Sequence, residues 1–172
     1  TSTISYTVSG CRRTTVVTVL ATPAVITGST SVCAGATTTL SSATGGGTWA
    51  SSATGIAMVG STGIVTGLAA GTATISYAVS GCTRTTIVTV LATPAVITGS
   101  TSVCAGATTT LASATGGGTW ASSATGTATV GSTGIVTGVA AGTATISYTA
   151  SGCVRTASLS VLAAPSVITG TM

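Results

Sequence analysis

Apolar and polar side chains alternate along short stretches of this chain. In residues 72–79, Ala73, Ile75, Tyr77 and Val79 fall on one face, while threonine, serine and alanine fall on the other. A period of two is that of a β-strand with one buried face. β-Branched residues dominate, and clusters of glycine and serine recur every 8 to 12 residues or so, as they do between the strands of a sandwich. The pattern predicts an all-β fold.

The whole sequence repeats with a period of 71 residues. Tyr6, Tyr77 and Tyr148 are each 71 positions apart, and residues 1–71 differ from residues 72–142 at eight positions. This period is longer than the repeats of helical solenoids or propellers, and it fits a small domain that closes its own core. The sequence therefore predicts tandem β-sandwich domains.

Proline marks the predicted boundary between repeats. Ala-Thr-Pro recurs at 21–23 and 92–94, and proline favours an extended residue before it and cannot continue a central strand. We predict four segments, namely the C-terminal strands of a preceding repeat, two whole repeats and the first strand of a following repeat. Their ranges are 1–22, 23–93, 94–164 and 165–172.

Seven strands are predicted in the first whole repeat. They lie near 24–27, 36–41, 47–52, 56–59, 63–67, 71–79 and 85–91. Trp49 is the largest apolar side chain of the repeat and follows a glycine turn, so it is predicted in the core together with Tyr77, and Trp120 and Tyr148 are predicted in the same places of the next repeat. The other predicted core residues are Ile26, Leu40, Val59, Val65, Ile75 and Val88.

Each whole repeat contains two cysteines, 49 positions apart. We predict the disulfides Cys33–Cys82 and Cys104–Cys153, with Cys11 paired to a cysteine of a preceding repeat. Closing such a loop contributes about 4 kcal/mol in the chain-entropy model. The sequence alone does not decide whether each bridge lies within a repeat or links neighbours. Disulfides persist in oxidising surroundings, so we expect an extracellular or cell-surface location.

Four segments resemble the bacterial immunoglobulin-like group 2 repeats, especially those of large secreted and cell-surface proteins of Bacteroidota. They are VITGSTSVCAGATTTL, GGGTWASS, STGIVTG and AAGTATISYAVSGC, and they cover nearly the whole repeat. The resemblance implies seven-stranded immunoglobulin-like β-sandwiches that act as spacers and adhesive stalks.

The composition argues against catalysis and against ligand binding. The charged side chains are four arginines, and Asp, Glu, His and Lys are absent, so no group is available for general acid or base work or to activate a serine. We predict no enzyme activity, no metal and no cofactor. Four arginines over 172 residues, with no stretch in which basic and aromatic side chains interleave, make a poor phosphate-binding surface, so no nucleic acid is expected. No apolar run approaches the length of a membrane-spanning helix.

An uncharged exterior of Thr, Ala, Val and Ser tends to associate with like surfaces. We therefore predict a structural repeat region of an extracellular fibre, stalk or sheath, in which the chain is its own partner through end-to-end and lateral contacts. O-linked glycans on Ser and Thr are a second way to cover this surface. The alternative function is a spacer of a cell-surface adhesin whose binding domain lies elsewhere.

Overall fold

The computed structural model describes residues 1–165, and within them the ordered elements are strands. The chain divides into two units. The first comprises Thr1–Val32 and Ala36–Val90, and the second comprises Cys33–Gly35 and the chain from Leu91 onward. The short segment Cys33–Gly35 thus belongs to the second unit, although it lies within the first repeat of the sequence.

Each repeat folds into two four-stranded sheets. In the first repeat, one sheet has the strand order β3-β5-β8-β7 and the other has the order β4-β10-β9-β6. The strands are β3 (Ile26–Gly28), β4 (Ser31–Cys33), β5 (Thr37–Ser42), β6 (Thr48–Ser51), β7 (Ala57–Val59), β8 (Ile64–Gly67), β9 (Gly71–Val79) and β10 (Cys82–Leu91). The all-β, tandem sandwich prediction is therefore confirmed.

The second repeat has the same topology. Its sheets have the orders β11-β13-β16-β15 and β12-β18-β17-β14. The strands are β11 (Ile97–Gly99), β12 (Ser102–Cys104), β13 (Thr108–Ser113), β14 (Thr119–Ser122), β15 (Ala128–Val130), β16 (Ile135–Gly138), β17 (Gly142–Ala150) and β18 (Cys153–Leu162). The strand predicted for the following repeat falls mainly on 166–172 and so lies outside the described residues. No helix in residues 1–165 is long and apolar enough to cross a membrane.

One strand of each repeat is additional to the seven that were predicted. The extra strand is β4, which lies in the other sheet from β3, because the chain crosses between the sheets after Gly28. A Cβ on Gly28 would lie 2.3 Å from the carbonyl oxygen of Thr39, and its φ is +120°. A side chain at this position would be strained, so glycine permits the crossing.

A two-residue turn fixes the register of the long hairpin β9–β10. Val79 and Cys82 are paired, and the intervening Ser80 and Gly81 both have positive φ, at 49° and 85°. Positive φ at both central positions is the conformation of a type I′ turn, whose twist matches that of the flanking strands. Alternate residues of β9 consequently face the core.

The core of each repeat is built from aliphatic residues of the long hairpin and of the opposing sheet. Ile75 is fully buried, and so are several aliphatic side chains that face it from the same hairpin or from the opposing sheet, together with their counterparts in the second repeat. They include Leu40, Val65 and Val88 in the first repeat, and Leu111, Val136, Ile146 and Leu159 in the second. Among the other predicted core residues, Tyr77 and Tyr148 are buried, whereas Ile26, Val59, Trp49 and Trp120 are half-buried.

Strands β1 (Ser2–Val8) and β2 (Cys11–Val17) form a separate hairpin within the first unit. Their sequence is equivalent to that of β9 and β10, yet their apolar face is exposed. Tyr6 is 72% exposed and Ile4 is 53% exposed, whereas the equivalent Tyr77 and Ile75 are 5% and 0% exposed. The alternating pattern of this hairpin is the one that is buried in β9 and β10. Here the hairpin is a two-stranded sheet of its own, so the apolar side chains are exposed.

Candidate functional site: a disulfide at the strand ends

The disulfide of the structure joins Cys33 to Cys153. Their Cα atoms are 5.8 Å apart, and they are separated by 120 residues in sequence. Cys33 follows Val32 at the end of β4 and belongs to the second unit, while Cys153 is the first residue of β18. The sequence separation of the two cysteines exceeds one period of 71 residues, so the bond joins a cysteine of one repeat to a cysteine of the next.

This bond replaces the predicted pairing of Cys33 with Cys82 and of Cys104 with Cys153. Within the second repeat, β12 runs parallel to β18 and pairs Cys104 with Leu162. Cys153 is the first residue of that same strand. It lies nine residues before Leu162, which corresponds to about 30 Å along the strand. A disulfide requires Cα atoms within about 7 Å. The two cysteines of one repeat therefore lie at opposite ends of neighbouring strands and cannot bond.

Backbone contacts hold the two bonded cysteines in place. The amide of Ala34, next to Cys33, donates a hydrogen bond to the carbonyl oxygen of Leu91 at 2.8 Å. Cys33 Sγ lies 3.9 Å from the carbonyl oxygen of Gly152. Cys153 is 1% exposed. Cys153 is therefore buried at the start of β18, while Cys33 is half-buried beside the hairpin turn of the second repeat.

The other three cysteines carry no disulfide in the structure. Cys11 and Cys104 are exposed, and Cys82 is half-buried. Cys82 Sγ lies 4.0 Å from the carbonyl oxygen of Leu20. The pairing of Cys11 with a cysteine of a preceding repeat stays a prediction.

Each repeat also contains a tryptophan and a tyrosine in contact on paired strands. The rings of Trp49 and Tyr77 have centroids 4.6 Å apart, and those of Trp120 and Tyr148 are 4.7 Å apart. The hydroxyl of Tyr77 accepts a hydrogen bond from the Gly47 amide at 2.8 Å and donates one to the Thr44 carbonyl at 2.7 Å. The tyrosine therefore anchors the glycine turn that precedes the tryptophan strand.

In the second repeat these aromatic residues line an open cleft of about 300 Å³. Its lining consists of apolar side chains, hydroxyl groups and backbone, with no ionisable acid or base near neutral pH. Serine and threonine hydroxyls without a neighbouring base are poor nucleophiles. The cleft offers hydrogen-bonding groups and an aromatic surface.

Replacing Gly47 with alanine is expected to destabilise the first unit by about 1 to 3 kcal/mol. A Cβ at this position would lie 2.4 Å from Cζ of Tyr77 and 2.7 Å from the carbonyl oxygen of Ala78. The matched control is Gly45→Ala, because a Cβ there meets no atom within 4 Å. Urea denaturation of both variants measures the difference, and equal stabilities would contradict the described contact of the turn with the tyrosine ring.

The sheet topology and the paired aromatic residues define an immunoglobulin-like β-sandwich repeat. The chain belongs to the bacterial Ig-like domain (group 2) family, whose sequence model matches residues 13–90 and 84–161. The two matches begin ahead of the proline boundaries at 23 and 94, which stay a prediction. The matched family is one of immunoglobulin-like modules and indicates no catalytic activity. The curated proteins contain no match to the chain.

Several solved structures are similar to the chain. Domains 1–6 of the surface layer protein SbsC are 30% identical, with 76% of this chain and 24% of that chain covered and a TM-score of 0.33. Domains 4 and 5 of the same protein are 28% identical, with 73% and 82% covered and a TM-score of 0.33. A C-terminal fragment of intimin is 19% identical, with 81% and 64% covered and a TM-score of 0.48. The chain spans about a quarter of the six-domain SbsC structure.

Proposed function

We propose that this chain is a structural repeat region of an extracellular fibre, stalk or sheath, in which copies associate end to end and side by side. The observation that carries the proposal is the surface that recurs from one repeat to the next. It has no acidic side chain and no lysine, and it exposes aliphatic residues at equivalent positions. Val25 is 67% exposed and Val96, one period later, is 66% exposed.

Two physical arguments connect this surface with self-association. Soluble domains usually carry charged residues over about a quarter to a third of their surface, and a neutral surface with apolar side chains promotes association. Near-identical repeats present the same contact at a fixed step, and a contact that recurs at a fixed step can build an extended assembly. Exposed Ser and Thr hydroxyls supply sites for O-linked glycans, which would cover part of the same surface.

The disulfide supports the extracellular location. Structural disulfides form and persist in oxidising compartments, and they are rare where glutathione and thioredoxin keep thiols reduced. In the bond Cys33–Cys153 the second cysteine is buried, as is usual for a structural disulfide.

A second candidate function is a spacer in a cell-surface adhesin. The tandem arrangement of sandwich domains favours it, because a row of such domains extends whatever domain lies at its end. In this role the chain would stay monomeric, and binding would reside in another part of the protein.

Light scattering over a concentration series, together with electron microscopy, tests the proposal. The unmodified chain is expected to form filaments or bundles as its concentration rises. A variant with Val25→Asp and Val96→Asp places like charges at equivalent positions and is expected to shift assembly to higher concentration. The matched control, Val25→Thr with Val96→Thr, keeps the surface neutral and should still assemble. Monodisperse monomers at every concentration would overturn the proposal and favour the adhesin spacer.

A further inference from the structure

We propose that the Cys33–Cys153 bond is one member of a periodic series that links every repeat to the next. In this series the first cysteine of each repeat bonds to the second cysteine of the repeat that follows. The inference depends on the fold and on the disulfide of the structure, and it goes beyond the proposed function.

The sequence places two further cysteines in register with the observed bond. Cys104 lies one period after Cys33, and Cys82 lies one period before Cys153. Cys104 is therefore assigned to a cysteine 120 positions later in a longer array of these repeats, and Cys82 to a cysteine 120 positions earlier. Each of them is an equivalent of a residue that is bonded in the structure.

The surroundings of Cys82 provide a second, independent observation. At the observed bond, the amide of Ala34, which follows Cys33, donates a hydrogen bond to the carbonyl oxygen of Leu91 at the end of β10. Leu20 is the residue one period before Leu91, and its carbonyl oxygen lies 4.0 Å from Cys82 Sγ. The thiol of Cys82 thus faces the place where a preceding repeat would bring its first cysteine.

The strand geometry removes the competing pairing within a repeat. Cys104 is paired with Leu162 at the far end of β18 from Cys153, so closing that bond would require the sheet to come apart. A partner in the next repeat needs no such change, because Cys33 reaches Cys153 with both sheets of each repeat intact.

Each bond of the series forms by thiol–disulfide exchange. The thiolate of one cysteine attacks a disulfide of an oxidised dithiol protein or of a small-molecule disulfide, and a mixed disulfide results. The second thiolate then attacks that mixed disulfide. The two cysteines lose two protons and two electrons in total, and the oxidant is reduced to a dithiol, or to two thiol molecules where it is a small-molecule disulfide.

Counting free thiols in two chains of different length tests the series. One is the chain itself, and the other carries an additional copy of residues 94–164 after Ala164. The added copy brings two cysteines and one further bond, so both chains are expected to keep the same three free thiols as the structure. Alkylation under denaturing, non-reducing conditions followed by intact mass measurement gives the count. Pairing within repeats would leave one free thiol in each chain.

Substitutions then identify the partners. In the extended chain, Cys104→Ser is expected to release one new thiol, that of the second cysteine in the added copy. The matched control, Cys82→Ser, should break no bond and lower the free-thiol count by one. Five free thiols in the unsubstituted extended chain would overturn the periodic series, and so would an unchanged bond count in Cys104→Ser. Circular dichroism checks that each variant retains its strands, and none of these results depends on whether the chain forms filaments.

Discussion

Replacing Cys33 with serine is expected to lower the free energy of unfolding by about 5 kcal/mol in the chain-entropy model. The bond Cys33–Cys153 closes a loop of 120 residues, and the unfolded chain loses more conformational freedom from a long closed loop than from a short one. The expected loss is comparable with the entire stability of many small domains.

Denaturant titration of the oxidised variant and of the oxidised parent chain measures this difference. Cys104→Ser and Cys82→Ser are matched controls, because neither residue is bonded in the structure, and their effects are expected within about 0.5 kcal/mol. The fully reduced parent should match the Cys33→Ser variant. A parent chain that loses no stability on reduction would contradict the described bond.

Replacing Ile75 with alanine is expected to destabilise the first unit by about 2 to 5 kcal/mol. Ile75 is fully buried between the two sheets, so truncation removes its apolar contacts and leaves a cavity. Ile146 has the same burial in the second unit, and Ile146→Ala is expected to have an effect of the same size there.

The chain contains its own control for this substitution. Ile4 occupies the equivalent position in the hairpin β1–β2 and is 53% exposed, so Ile4→Ala is expected to change the stability by no more than about 0.5 kcal/mol. Thermal or urea denaturation of the three variants makes the comparison. If Ile4→Ala were as costly as Ile75→Ala, the hairpin would be packed in solution, contrary to the structure.

The alternation of side chains and the period of the sequence were sufficient to predict the sandwich. Ile75 and Tyr77 were assigned to one face of a strand, and both are buried. The period of two is a direct result of strand geometry, so it survives in any sheet that has one buried face. The tryptophans were assigned to the core from their size and from the glycine turn before them, and neither feature reveals that Trp49 is only half-buried.

The cysteine pairing could not be predicted from spacing, because it depends on strand direction and on sheet order. Cys33 closes the short strand β4, which lies beside β10. This three-residue strand was missed, since so short a segment shows no period of its own. Without it, nothing in the sequence indicates that Cys33 lies far from Cys82 and close to the start of the next repeat's last strand.

Two covalent connections join Cys33 to Cys153, namely the backbone and the disulfide. Any single peptide bond between Cys33 and Cys153, including those at the Ala-Thr-Pro boundary at 92–94, is bypassed by the sulfur link. A protease that cuts there would leave both fragments attached until a reductant separates them. In the proposed series consecutive bridged loops overlap, as over residues 104–153. A backbone cut within an overlap would separate the two pieces only after both disulfides that span it had been opened.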